Sequence, residues 1–561
     1  MSSPTLDLVE LELFNPSADL LTDDERIHIS YQRARAVARA YDLNISDVLH
    51  LTPKFWQLHQ DLIAPVDYAA FSLLTIQFNL AAGTLAPFAI HNPHYKSLLD
   101  RILRFDVSAQ YMLTEVGHGL DARNLETSAT LLPNGEFDLH TPNLNAAKIM
   151  PPTWPRKSFP RVAVVFARLL ASDEDRGLRP FIVWLNDGER MCDGVMAKML
   201  PPRAGAKPLD HSITSFTHVR LPSSALLGSI ERPSNERENF LSITWRLGVG
   251  ALALTMSTIP MMKRSVFVAG KYSIHRQILG PETKPTSIIS LRTQQQPILH
   301  GLAQIAVFEA YAEESILLFQ DPNLQPTVRH AIGAIFKAVM SQAVHPTLYA
   351  LSERCGARGL YGYNHIIESQ LDCRVSSIAE GDTLALSIRL ATELLLDRYQ
   401  LPPARYSTCI LAQHEKGLMA ESRALLRGIA GGHRSDEFNA LILPRCQSIV
   451  EAIGHRMAYE AAAKAGVPSD LLSLYKIGVM LHDPSWYVQH TNATRESMFA
   501  EESRALDVVL PRLNTLLDQT GAERYCTSPI LSHDSWEAFV DQLETHGDGK
   551  STCISRSSSK L

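Results

Sequence analysis

The hydrophobic period of this chain changes twice, from helical to strand-like near residue 111 and back near residue 235. A side-chain pattern repeating every 3.6 residues cannot serve a strand, and a pattern of period two cannot serve a helix. The first hundred residues read as helices, with Asp24–Tyr41 charged and Ala/Arg-rich and Asp67–Ala82 carrying a dense apolar face. From Tyr111 to about Glu231 the texture is short and β-rich, with candidate strands at Thr127–Leu132, Arg161–Leu170, Pro180–Leu185 and Ser215–Leu221 between Gly, Pro and Asp turns. Pro151-Pro152 and Pro201-Pro202 are expected between strands, where a missing N–H costs little. Long helices return at Phe240–Tyr272, Ser290–Phe319, Pro326–Cys355 and Asp382–Tyr399. Beyond the stiff linker Leu401-Pro402-Pro403-Ala404, a second helical block covers Ala404–His433, Asp436–Ala465, Asp470–Leu481 and Met498–Leu517. The predicted fold is α+β and mainly α. It comprises an N-terminal helical domain (1–110), a central β domain (111–232), a four-helix bundle (233–400), a second helical domain (401–545) and a Gly/Ser-rich tail (546–561).

Charge excludes one class of partner. With 53 Lys+Arg against 59 Asp+Glu among 561 residues, a net charge of −6 gives no electrostatic case for nucleic acid. Seven scattered cysteines form no CxxC, which points to reduced thiols, and His211 and His218 lack metal-ligand spacing, so no metal is expected. Met1–Glu10 shows no signal-peptide pattern. The apolar run Leu247–Met262, bounded by Arg246 and Lys263, is too short and mixed for a membrane span and reads as a buried bundle helix.

Four segments carry chemistry. Tyr111–Thr130 places Thr114-Glu115 before Gly117 and Gly119, whose lack of a Cβ lets main-chain N–H groups approach a ligand; taken alone, the pair also reads as an ordinary turn. Cys355-Gly356-Ala357-Arg358-Gly359 lies 25 positions upstream of Glu380 in Ala379-Glu380-Gly381-Asp382-Thr383, measured from Cys355. His275-Arg276-Gln277 and Thr293-Gln294-Gln295 complete the set. In this order, these segments resemble the peroxisomal acyl-CoA oxidases of the acyl-CoA dehydrogenase superfamily, from about residue 20 to residue 400 and more loosely to about 540. The second C-terminal helical block is similar to the oxidase branch; ordinary dehydrogenases end after the first bundle. The resemblance implies a β-barrel or sandwich for the central domain, bound FAD, an acyl-CoA substrate, O₂ as acceptor and a homodimer.

By the same resemblance, Glu380 is the base, Thr114, Gly117 and Gly119 contact the flavin, and Arg276, Gln277, Gln294 and Gly356 support the cofactor. Removing the α-proton of a thioester requires a positioned carboxylate together with stabilisation of the developing enolate oxygen. Without the resemblance, Glu380 reads as an acidic first-turn residue of the helix beginning near Asp382. Arg276 reads as a helix-terminal charge, and Gln294 as part of a solvated face. Ser559-Lys560-Leu561 matches the tripeptide read by the peroxisomal import receptor. Three departures stand out: Pro152 and Thr153 replace a family glycine pair, and Ala357 and Arg358 replace a Gly and a His. These fit a specialised relative acting on an unusual acyl chain, as in secondary metabolism. Two alternatives remain open at this level: an acyl-CoA dehydrogenase with another acceptor, and a non-catalytic acyl-CoA-binding member.

Overall fold

The computed structural model describes residues 3–14, 21–280 and 283–545; the C-terminal tripeptide lies outside them. The chain forms two compact units, each assembled from separated stretches. One contains Met1–Thr258, Ser315–Ala338 and Arg374–Gln400, and the other Ile259–Glu314, Val339–Cys373 and Leu401–Leu561.

In the first unit, helix Asp23–Tyr41 starts at a Thr22 capping box, in which Thr22 and Glu25 satisfy each other's free main-chain N–H. The expected Asp67–Ala82 helix extends further, as Tyr68–Thr75, a π-helical turn at Ile76–Ala82, and Gly83–Ala89. This stretch is long and apolar enough to cross a membrane, yet 94% of its apolar window is buried inside the protein.

Nine strands follow: β1 Ser108–Met112, β2 Ser128–Leu131, β3 Phe137–His140, β4 Lys148–Pro152, β5 Arg161–Ala171, β6 Glu174–Asn186, β7 Val195–Met199, β8 His211–Phe216 and β9 Val219–Leu221. One sheet runs β1-β5-β2-β3-β9 with β6 also on β5, and a second runs β4-β8-β7. β1 and β2 lie parallel to β5, and the remaining pairs are antiparallel. Alternate β5 residues Ala163, Val165, Ala167 and Leu169 meet Phe137, Phe181 and Phe216 in one core to which both sheets contribute, as the period of two requires.

Two strand expectations need correction. Ser215–Leu221 is not one strand: His218, at φ 52°, ends β8 and sends the chain to the other sheet as β9. Pro151-Pro152 lies inside β4, where the register slips on an edge strand and no ladder N–H is required.

Several expected long helices are segmented. Phe240–Tyr272 is three helices, Glu236–Ile243, Trp245–Met256 and Thr258–His275. Thr244 and Ser257 at the breaks turn their hydroxyls back onto the carbonyls of Phe240 and Leu254, both at 2.6 Å, and Pro260 lacks the N–H needed to run a helix through. Arg292–Gln320 and Pro326–Arg354 are continuous, followed by an unforeseen helix Ile366–Ile378 and then Thr383–Leu395. In the last block, Pro444 separates Asp436–Leu441 from Cys446–Lys464, and Pro511 separates Arg495–Val509 from Leu513–Gln519. The other helices of this block are Ile410–Gly428, Ser469–Met480, Pro484–His490 and His533–Val540.

Candidate active site

Glu380 does not occupy the first turn of a helix. Helix Ile366–Ile378 has ended, the next begins at Thr383 with Asp382 as its N-cap, and Glu380 and Gly381 between them have φ of 58° and 101°. A glutamate in the left-handed region costs about 1–2 kcal/mol, so something must hold it there. Lys337, fully buried on helix Pro326–Arg354, donates from Nζ to the carbonyls of Ala379 (2.6 Å) and Gly381 (2.5 Å), clamping the turn on both sides of Glu380.

The carboxylate then lies against helix Trp245–Met256. A Cβ on Gly250 would fall 1.1 Å from Glu380 Oε2, so only glycine leaves room for it. Asn79 Nδ2, in the π-helical turn, donates to Oε2 at 3.4 Å and to the Arg246 carbonyl at 3.2 Å. Arg246 returns a bond from Nε to the Asn79 carbonyl (2.6 Å) and one from Nη1 to Val48 (3.1 Å). Its guanidinium fills the space a side chain at Gly83 would need, 2.0 Å from the ideal Cβ. Burial pushes the Glu380 carboxyl well above the ordinary carboxylate range, while Lys337, Arg246 and the Asn79 bond pull it back. The same burial lowers Lys337, with Glu380 and Asp382 opposing. The outcome is a carboxyl group poised to hold or release a proton near neutrality, which suits a general base.

Thr114 follows β1, and its carbonyl accepts from Ile149 N at 3.1 Å. Glu115 is structural: fully buried, it pairs with Lys148 Nζ at 2.8 Å and accepts from Glu126 N (2.8 Å) and Thr127 N (3.0 Å), closing the loop between. His118 braces that loop against Glu126 (2.9 Å) and Asp121 (3.1 Å), which raise its pKa. Gly117 is packed, since a Cβ would sit 2.8 Å from Asn145 Cβ, whereas Gly119 faces open space. Val116, Met150 and Trp154 carry exposed side chains, and Met150 follows Ile149, whose N–H bonds the Thr114 carbonyl. Thr153, at a family glycine position, is buried with its hydroxyl 2.7 Å from that of Thr214.

The other four expected cofactor residues belong to the second unit. Arg276 and Gln277 are exposed at a short hairpin, Gln277–Leu279 with Pro285–Ser287. Gln294 is buried, its amide donating to Ser273 Oγ (2.7 Å) and the Arg354 carbonyl (2.9 Å). Gly356, at φ 60°, begins the turn after Arg354 with open space over it. Arg358 stacks over the Trp536 ring at 4.4 Å. Among the described residues no cluster of three or more His, Cys, Asp or Glu side chains is placed to hold a metal.

Sequence reasoning missed Asn79, Gly250 and Lys337, and took Arg246 for the boundary of an apolar run. The signal was present: Asn79 and Arg246 are polar residues inside apolar helices, and Gly250 is a helix-interior glycine, which needs a packing reason.

Residues 249–395 match the family model for the acyl-CoA oxidase C-alpha1 domain. Peroxisomal acyl-coenzyme A oxidase 2 of Arabidopsis thaliana is 26% identical over 365 residues, 60% of this chain and 52% of that protein. Human peroxisomal acyl-coenzyme A oxidase 3 is 25% identical over 413 residues, 68% of this chain and 58% of its own length. The chain thus spans about half the length of the curated relatives it matches. Among solved structures, acyl-CoA oxidase 1 of Yarrowia lipolytica superposes with a TM-score of 0.82 at 17% identity, over 96% of this chain and 89% of that one. Acyl-CoA oxidase-2 of Caenorhabditis elegans, solved with FAD, ascaroside-CoA and ATP, gives 0.72 at 18% identity, over 93% and 92%. Residues 249–395 thus match an acyl-CoA oxidase domain, and in its mainly helical α+β fold and its distant relatives the chain as a whole is similar to the acyl-CoA oxidases.

Proposed function

We propose that this protein is a flavoenzyme that converts an acyl-CoA to its trans-2-enoyl-CoA, with Glu380 as the base. The observation that carries this reading is the Glu380 carboxylate itself, aimed by a clamped left-handed turn and kept proton-hungry by burial. FAD, when bound, supplies the acceptor for the β-hydride, and O₂ restores it with release of H₂O₂. The edge of the β domain fits a flat ring: Thr114, Val116, Met150 and Trp154 present a partly apolar exposed face, and Gly119 adds no side chain. Thr114, Gly117 and Gly119 are assigned to the flavin ring, and Arg276, Gln277, Gln294 and Gly356 to its support in a homodimer. Glu380 takes the α-proton at its carboxylate, and Arg246, Asn79 and Lys337 hold that carboxylate in place.

An acyl-CoA also brings phosphates. In the first unit a cleft of about 760 Å³ is lined by Arg123, Arg168, Arg237 and Arg389 together with Asp121 and Glu236, an excess of cations that suits the anionic end of CoA. The names of the relatives and the Ser559-Lys560-Leu561 tripeptide support a peroxisomal site of action, with the import receptor as partner. The substituted positions at Pro152, Ala357 and Arg358 favour a specialised acyl chain, as in a secondary-metabolite route.

One experiment tests the core of this proposal. Purified protein supplied with FAD should be yellow and melt at a higher temperature than without it. Anaerobic acyl-CoA should bleach it and air restore the colour. Colour that bleaches but does not return in air would give the acceptor role to another molecule, and colour that never bleaches would end the enzyme reading.

A further inference from the structure

Three buried polar atoms beside Glu380 have no partner in the protein: Asn79 Oδ1, Arg246 Nη2 and the Tyr111 hydroxyl. Such orphans are rare, and each needs a reason. They belong to one neighbourhood. Asn79 touches both Glu380 and Arg246, and Tyr111 is carried on β1, which packs against the π-helical turn that holds Asn79. Asn79 cannot relieve its own deficit by flipping, because Nδ2 is held by the Arg246 carbonyl and by Glu380, which fixes Oδ1 as the presented acceptor. Arg246 is wholly buried, and its guanidinium hydrogen-bonds only two main-chain carbonyls, leaving one donor edge unused.

A saturated hydrocarbon chain laid here would keep all three groups unpaired, which is costly in a dry site. A carboxylate would serve Arg246 and Tyr111, but it would face the Asn79 oxygen and place a second negative charge beside Glu380. A ketone accepts and never donates, so Asn79 Oδ1 would stay unmet. A hydroxyl does both: it accepts from Arg246 or Tyr111 and donates to Asn79 Oδ1. C2 and C3 each give up a hydrogen in the desaturation and take no part, so the group must lie beyond them. Contact between the Asn79 amide and the base keeps it close.

We propose that the substrate is a hydroxyacyl-CoA whose hydroxyl, at C4 or C5, is bound by Arg246, Asn79 and Tyr111. This rests on the desaturation reading above, and it adds the substrate class.

The test compares hexanoyl-CoA, 4-hydroxyhexanoyl-CoA, 5-hydroxyhexanoyl-CoA and the mono-CoA thioester of adipic acid in anaerobic flavin bleaching. Binding of the same four to the Glu380→Gln holoprotein is measured by calorimetry, so that recognition is read without turnover. One hydroxylated substrate should exceed hexanoyl-CoA by at least about tenfold in kcat/KM and in affinity, since a site built for a hydroxyl rejects the analogue lacking it. Tyr111→Phe removes an atom without a protein partner, so it should not lower the melting temperature but should shrink that preference. Equal handling of hexanoyl-CoA would mean that water fills the site, and preference for the adipic thioester would mean an anion site; either result overturns the hydroxyl assignment. A hydroxyl preference in binding with no bleaching by any of the four would sustain the recognition site while the desaturation reading falls.

Discussion

At the scale of single residues, the site trades stability for chemistry. Glu380 is held in a left-handed turn and in surroundings that disfavour its charge, so its proton affinity is raised on folding. The sign follows from linkage: a folded-state pKa above the unfolded 4.5 contributes stability at acid pH that is lost as pH climbs from there through the raised value. Glu380→Gln should therefore melt at the parent temperature near pH 4 and above it at pH 8, with FAD still bound. Its flavin reduction by acyl-CoA should fall by at least about a hundredfold. A variant that reduces its flavin at the parent rate would move the base elsewhere. Lys337→Met frees the two clamped carbonyls and removes a cation that favours the ionised base. The rate of flavin reduction should fall by about tenfold, and its rise with pH should shift to higher pH. A fall with the pH profile unmoved would mean that Lys337 only supports the fold.

At the scale of elements, the helix Trp245–Met256 is a platform whose glycines and single arginine decide what rests on it. Gly250→Ala places a methyl where Glu380 Oε2 lies, so the carboxylate must swing away. We expect activity to drop by about a hundredfold with flavin content kept, the scale for losing a positioned base. Parent-like turnover would show that the base works from another position. Periodicity made the existence of these helices legible but not their breaks, which depend on Thr244, Ser257, Pro444 and Pro511 competing with or lacking main-chain bonds. The run Ser215–Leu221 misled because alternation continues smoothly while the chain passes from one sheet to the other. Glu380 and Thr114 could be picked out as candidates because each sits in a contiguous motif. Asn79, Arg246 and Lys337 were not, because they meet through contacts such as Asn79 with Glu380, 301 residues apart, which no local spacing encodes. The arginine-lined cleft was equally invisible, since Arg123 and Arg389 converge only in three dimensions. If it holds the CoA phosphates, Arg123→Ala with Arg237→Ala should raise KM by about tenfold at constant kcat and flavin content, the signature of uniform binding lost. An unchanged KM would place CoA elsewhere.

At the scale of the whole molecule, each compact unit is built from three stretches of chain, and Glu380, Lys337, Arg246 and Asn79 come from all three stretches of the first. The chain therefore passes between the units five times, and no single cut leaves both of them whole. A gene encoding such a protein resists modular shuffling: a crossover anywhere between Arg246 and Glu380 separates Glu380 from its clamp or from its platform. Novelty in this lineage would then arise through replacements in place, of the kind seen at Pro152, Ala357 and Arg358, rather than through exchange of parts.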